Sequence, residues 1–388
     1  MRTALTVLAL WAAGLGAAGQ FGKISVLYEQ LSLTYAAHSG AGIGFMVSIV
    51  GLIGLIFGTT AGLMITRIGP RRAVLAALVL GGGVSLVQST FPAYPLMMLT
   101  RALEGISHLA IVVVGPTAIA TITPARHQGA ALTLWSSFFG VTYAALATFA
   151  PALIEGHGPE SLFRLHGLWM GAVALALFIL MPPDPETPKP QGHGGLIAQH
   201  IAIYRSPHRA APAMGFVCYT VIYVALLTLL PAAITPGWGA TVAIGMPLIS
   251  IAVSLTLGVW LLSQITAVRL VQSGFAASLI AAIALWLGWG QGAAEAACAL
   301  ALAASLGIVQ GASFASIPQL NPTAPERAAA AGAIAQLGNL GTTVGTPLLA
   351  LILAAAGAAG LAAFVAFFAT LGIALHAVQA RRRALSAI

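Results

Sequence analysis

A chain of 388 residues that is 59% hydrophobic and only 6% charged, with a mean hydropathy of +0.97, is not a water-soluble globule, since such domains carry about 25% charge. Its formal net charge of +8 would point to nucleic acid in a soluble protein, but here the basic residues fall between apolar runs and read as topology signals. The two cysteines, Cys218 and Cys298, lie inside apolar stretches, which leaves neither a disulfide framework nor a thiolate metal site of ordinary spacing.

At roughly 20 residues per membrane-crossing helix, the composition predicts an all-α membrane protein. Spans are predicted at 4–27, 41–65, 73–91, 95–121, 129–153 and 163–181, then at 210–233, 240–263, 270–290, 294–317, 328–354 and 359–379. This gives a six-helix N-terminal bundle over 1–181, a linker over 182–209 and a six-helix C-terminal bundle over 210–388. Little chain remains for a catalytic domain outside the membrane, so an enzyme is not expected.

The first span also resembles a secretory signal, with Arg2, an apolar core and small residues before Gln20. Retention is the expectation, because the charge alternation works with this helix in place. With the N-terminus cytoplasmic, the inner side receives Arg2, Arg67, Arg71, Arg72, Arg126, Lys189, Arg205, Arg209, Arg269, Arg327 and Arg381 to Arg383. Only Lys23, Arg101 and Arg164 are left over, and Glu29, Glu155, Glu160 and Glu295 fall near outer ends. That bias predicts twelve spans with both termini cytoplasmic. The linker begins Pro-rich, and Leu196 to Tyr204 is predicted as a short amphipathic helix on the inner membrane surface.

Pro124-Ala-Arg126 after the fourth span recurs as Pro325-Glu-Arg327 after the tenth, an offset of 201 residues that also carries Gly140 onto Gly341 and Thr142 onto Thr343. Two fused halves would give such a repeat. The loop Gly62-Leu-Met-Ile-Thr66-Arg67-Ile-Gly69-Pro-Arg71-Arg72 resembles the cytoplasmic gate motif of the major facilitator superfamily, with Thr66 where that family usually has aspartate. Arg101-Ala-Leu-Glu104-Gly105 is similar to the family's fourth-span pattern of an arginine with a glycine four residues on. The resemblance covers the whole chain. It implies a two-bundle carrier that alternates its access around a site near the bilayer midplane, a single chain acting as a monomer.

Substrate must be argued from the polar residues within the spans. An unpaired charge at mid-helix costs about 2.5 to 3.5 kcal/mol, so intramembrane ionisable groups are functional candidates. Arg101, Glu104 and His108 share one helix face, and Gln20 and Lys23 one turn apart form a second polar face in the first span. One reading is a structural ion pair; the sharper one makes Arg101 or Lys23 a docking charge for an anionic group and Glu104 or His108 a group that titrates in the cycle. At positions shifted by 201 stand Leu302, Ser305 and Val309, and this asymmetry favours a site. In the C-terminal half, Tyr219 with Tyr223 and Gln336 with Asn339 each share a face and are candidates to line a cavity, while Ser250, Ser254 and Gln310 are weaker ones.

Met214, Cys218 and Met246 raise Cu(I), but the paired methionines used by some copper carriers of the superfamily are missing, and His193, His200 and His208 are too widely spaced for a metal site. No metal and no cofactor are expected. No phosphate-binding loop is found, so ion-gradient coupling is expected in place of ATP, and the fifth span lacks the Gly-Pro signature of drug antiporters, since Val follows Gly140. The expectation is a secondary active transporter in a bacterial inner membrane. It would move a small organic solute with protons, with a lean towards an anionic group; its partners would be solute, protons and lipid bilayer, not nucleic acid. A drug or metabolite exporter and a non-transporting receptor or assembly factor stay open as alternatives.

Overall fold

The computed structural model describes residues 2–37, 40–184 and 196–385, and among these the regular structure is helical throughout. Lys189, His193 and much of the predicted linker lie outside the described residues. In chain order the helices are α1 (Arg2–Val26), α2 (Tyr28–Thr34), α3 (Gly40–Ile68), α4 (Pro70–Gln88), α5 (Tyr94–Ile122), α6 (Ala125–Ser136), α7 (Phe138–His157) and α8 (Glu160–Leu180). Within the linker lies α9 (Leu196–Arg205), and after it come α10 (Ala211–Ala233), α11 (Gly239–Val253), a π-helical turn over Ser254–Gly258, α12 (Val259–Leu262), α13 (Ala267–Leu287), α14 (Ala293–Leu320) and α15 (Ala324–Leu385).

Ten helices among the described residues are long and apolar enough to cross a membrane. The predicted fifth span falls on α6 and α7, and the eighth on α11, the π turn and α12. The eleventh and twelfth both lie within α15. Its 62 residues at 1.5 Å each would run about 93 Å, three times the hydrocarbon thickness, so the chain must turn. It does so at Gly357, where φ is 52° and ψ is −138°, a conformation glycine reaches without a Cβ clash.

Before the linker, α1 packs on α5, α7 and α8, and α4 on α5 and α8; after it, α10 packs on α14 and α15, and α13 on α14 and α15. The two halves meet where α3 and α5 touch α15, α6 touches α14 and α7 touches α11. Both described chain ends lie at one face: Arg2 donates to the carbonyl of Leu180 (3.2 Å), and Arg382 to that of Arg205 (2.8 Å). At this terminal face the halves are joined by Arg327 donating to Thr121 (3.1 Å).

The crossing of α3 and α15 depends on two glycines. A Cβ on Gly58 would stand 2.7 Å from Cβ of Gln336, and one on Gly332 would stand 2.6 Å from the Gly58 carbonyl. Two glycines related by the offset of 201 have different neighbours. Gly140 backs Ile251 of the other half, whereas Gly341 backs Thr220 of its own.

Helix α9 forms where the sequence predicts it, but it does more than lie on a surface. Ile203 is buried, His200 Nδ1 sits 2.6 Å from the Thr59 hydroxyl, and the Tyr204 hydroxyl donates to Gln336 Oε1 at 2.6 Å. Thr59 belongs to the first half and Gln336 to the second, so α9 clasps the junction of α3 and α15. Burial pushes the Tyr204 phenol up, which keeps it a donor. Tyr204→Phe should shift the balance between closed and open terminal face by about 1 kcal/mol, roughly fivefold, read as faster thiol labelling of a buried reporter cysteine at the junction; unchanged labelling would show that α9 is a bystander.

Candidate functional site

Glu104 is the centre of the polar core. Its Oε1 accepts from Lys23 Nζ, its Oε2 from Arg101 Nη1, and Gln88 Nε2 donates to Oε2 at 2.9 Å. Helix α5 brings Arg101 and Glu104 to one face by their spacing of three, and α1 lies against that face because small residues there allow close approach. Arg101 also donates from Nε to the carbonyl of Met46 (2.9 Å) and from Nη1 to that of Gln20 (2.7 Å), while its Nη2 is buried without a hydrogen-bond partner. Lys23 also donates to Ser85 Oγ (2.8 Å) and approaches His166 Nδ1 at 3.3 Å. Arg101 and Glu104 are 0% exposed and Lys23 is 1% exposed.

The structure thus brings together Lys23, Arg101, Glu104 and Gln20, whose amide donates to Ser107 at 2.9 Å. His108 shares the helix but turns elsewhere: Nδ1 donates to the Ala17 carbonyl at 3.0 Å, and the ring stands edge-on to Phe21. In this conformation Arg101 and Lys23, the expected docking charges, are buried and both bond Glu104.

The candidates of the second half are not gathered with them. Tyr219 and Tyr223 stack on each other at 5.2 Å within the core. Gln336 donates across the halves to the Leu55 carbonyl at 2.8 Å while accepting from Tyr204, and Asn339 donates to Ala335 (2.7 Å) beside Gly51 and Gly54. Gln336 and Asn339 thus stand at the crossing of α3 and α15. Gln310 is a further one, donating to the Ser136 carbonyl at 2.7 Å.

Sequence reading missed His166, Ser85, Gln88 and Ser107. His166 was detectable as an ionisable residue in an apolar run, but the predicted span began at 163 and placed it at the membrane edge. Helix α8 starts at Glu160, which moves it a turn deeper. Its Nε2 donates to the Gly16 carbonyl at 2.9 Å, and this fixes the tautomer with Nδ1 facing Lys23 and Ser85.

In the gate motif, Gly62 and Arg67 close α3, and Gly69 makes the turn at φ 97°, where a Cβ would meet Asp184. Asp184 Oδ1 and Oδ2 accept from the amides of Arg71 (2.8 Å) and Arg72 (3.0 Å), capping α4 from the end of the first half. Arg71 also donates to the Phe178 carbonyl at 2.7 Å. An acid thus reaches the motif that has Thr66 in place of aspartate, and the only hint in the sequence is a lone Asp directly after the sixth span. Asp184→Ala should lower stability by about 1 kcal/mol, as loss of an N-cap does, measured as a fall in melting temperature; an unchanged melt would remove the cap from the account.

Among the described residues no three of His, Cys, Asp and Glu come together as metal ligands. Met214 Sδ accepts from Gln379 at 2.7 Å, while Cys218 points its thiol at the Met214 carbonyl, so the two sulfurs do not converge.

Residues 6–346 match the Major Facilitator Superfamily. The chain belongs to that family of membrane transporters. Its full length resembles the fucose transporter FucP of E. coli in the outward conformation, with 13% identity, 98% of this chain and 99% of that one covered, and a TM-score of 0.77. The human organic anion transporter MFSD10 gives 14% identity, 96% and 99% coverage and a TM-score of 0.78. Over 214 residues the chain is 23% identical to the inner membrane transport protein YajR of Escherichia coli K12. That stretch spans 55% of this chain and 46% of YajR, less than half of the curated relative's length.

Proposed function

We propose that the protein is a proton-coupled secondary transporter of a small uncharged polar solute, built as two six-helix bundles with both termini cytoplasmic. The observation that carries this is the enclosed trio of Lys23, Glu104 and Arg101. A buried ion pair is often no better for stability than apolar side chains of equal volume, so its presence calls for another use, and exchange of a proton is the use such a cluster serves in a membrane. Lys23 and Arg101 both bond Glu104 and further protein groups, and this favours a neutral polar solute over an anionic one. FucP, a fucose:proton symporter, supplies a precedent on this fold.

The contacts between halves lie towards the terminal face, at Gly58 with Gln336, Thr121 with Arg327 and Gly129 with Leu262. With that face cytoplasmic, this conformation is closed inwards. The test is uptake by reconstituted vesicles of a panel of labelled neutral sugars and polyols, L-fucose and D-xylose among them, set against labelled organic anions. Accumulation of a neutral solute above its outside concentration under an acid-outside gradient is expected. Accumulation of anions alone would overturn the substrate class, and none at all would overturn the transport reading.

A further inference from the structure

The trio carries two cations and one anion, so as drawn it buries one unbalanced positive charge. Protonating Glu104 or His108 would raise that excess to two, and Arg101 does not deprotonate in proteins. Only one member can lower the buried charge by exchanging a proton. Loss of a proton from Lys23 leaves a neutral amine beside the Arg101–Glu104 pair, which remains intact.

The surroundings of Lys23 fit an exchange. From α4 it faces Ser85, with Gln88 beyond on Glu104; from α5, Glu104 and Arg101; from α8, His166 and the ring of Phe163 at 5.2 Å. Ser85 gives its own hydrogen to the Phe163 carbonyl, and His166 gives its Nε2 hydrogen to Gly16, so the Nδ1 lone pair is the acceptor left for a Lys23 proton. A groove of about 560 Å³ between α1, α7 and α8 reaches both residues. It is lined by Gly16, Gly19, Lys23 and His166 and runs to His157 at the end of α7 away from the terminal face.

Resting on the proton-coupled reading above, we propose that Lys23 is the group that takes up and releases the coupled proton, and that His166 passes it to and from the groove. In the release step the N–H bond on Lys23 breaks and one forms at His166 Nδ1, leaving an amine and an imidazolium. The imidazolium then gives its Nε2 proton to water in the groove, and the neutral ring donates Nδ1–H back to the amine or to Ser85. Uptake is the reverse.

The sequence contains two lysines, Lys23 and Lys189, which makes a direct test practical. Full-length protein with 13C at lysine Cε, in lipid nanodiscs, gives two signals, and Lys23→Arg identifies which is which. The Lys23 signal is expected to convert between ammonium and amine positions as the bath pH is stepped, with Lys189 as the ammonium reference. His166→Gln, in vesicles, should leave that conversion in place and slow proton movement at least about tenfold, the scale of a lost proton-transfer group. An ammonium Lys23 throughout, while vesicles still accumulate solute under a pH gradient, overturns this assignment and spares the transport reading. Conversion of Lys23 in a protein that shows no pH-driven accumulation overturns both. Undiminished proton movement in His166→Gln overturns the route.

Discussion

Glu104→Gln is expected to cost about 3 to 5 kcal/mol of stability, because it leaves Lys23 and Arg101 as two buried cations with no counterion. The loss should appear as poor yield and a melt many degrees lower. It does not by itself separate a coupling role from a structural one, so the informative variant is the triple replacement Lys23→Met, Arg101→Met, Glu104→Leu. Apolar substitution of a whole buried ion cluster is often neutral or stabilising, which predicts a melt restored to near that of the native protein. Solute exchange should survive in the triple variant, while accumulation driven by a pH gradient should vanish. A triple variant that accumulates solute as the native protein does would reduce the trio to a structural device.

The second large effect is expected at the crossing of the halves. At Gly58 a β-carbon would already stand 2.8 Å from the backbone nitrogen of Gln336 and from the Gly332 carbonyl, so relief requires α3 and α15 to separate. Gly58→Leu should therefore hold the terminal face open. The fold should persist, with a melt close to native. A cysteine placed at the buried Ala335 should then react with a maleimide at least about tenfold faster, and transport should fall by a similar factor, since one access state is lost. Native labelling rates in Gly58→Leu would mean that the crossing yields without opening.

Most of the fold is legible in the sequence because burial in lipid leaves a helix as the one way for a lone span to satisfy its backbone, and apolar length reports it. Gly357 shows the limit: two spans were expected from the length rule, and the turn that separates the two helices is the conformation of a single glycine. The ionisable trio was legible in part. Spacing placed Arg101 and Glu104 on one face, but no spacing rule says which face of α1 meets them, so the bond from Lys23 to Glu104 had to come from packing. The same reason explains Gln336. Its sequence neighbours mark a polar face, while its partners Leu55 and Tyr204 are 281 and 132 residues away. His166 was missed because α8 starts a turn earlier than predicted, which carries it deeper, and Asp184 because no spacing rule says that a residue after the sixth span caps the helix of the third.

If solute and proton move together through this protein by way of the trio, vesicles loaded with a pH-sensitive dye show it when a solute that the native protein accumulates is added outside with no pH gradient imposed. Solute entry is expected to acidify the lumen in the native protein, and the apolar triple variant to admit the solute with no change in lumenal pH. Solute entry into native vesicles at constant lumenal pH would contradict coupled movement.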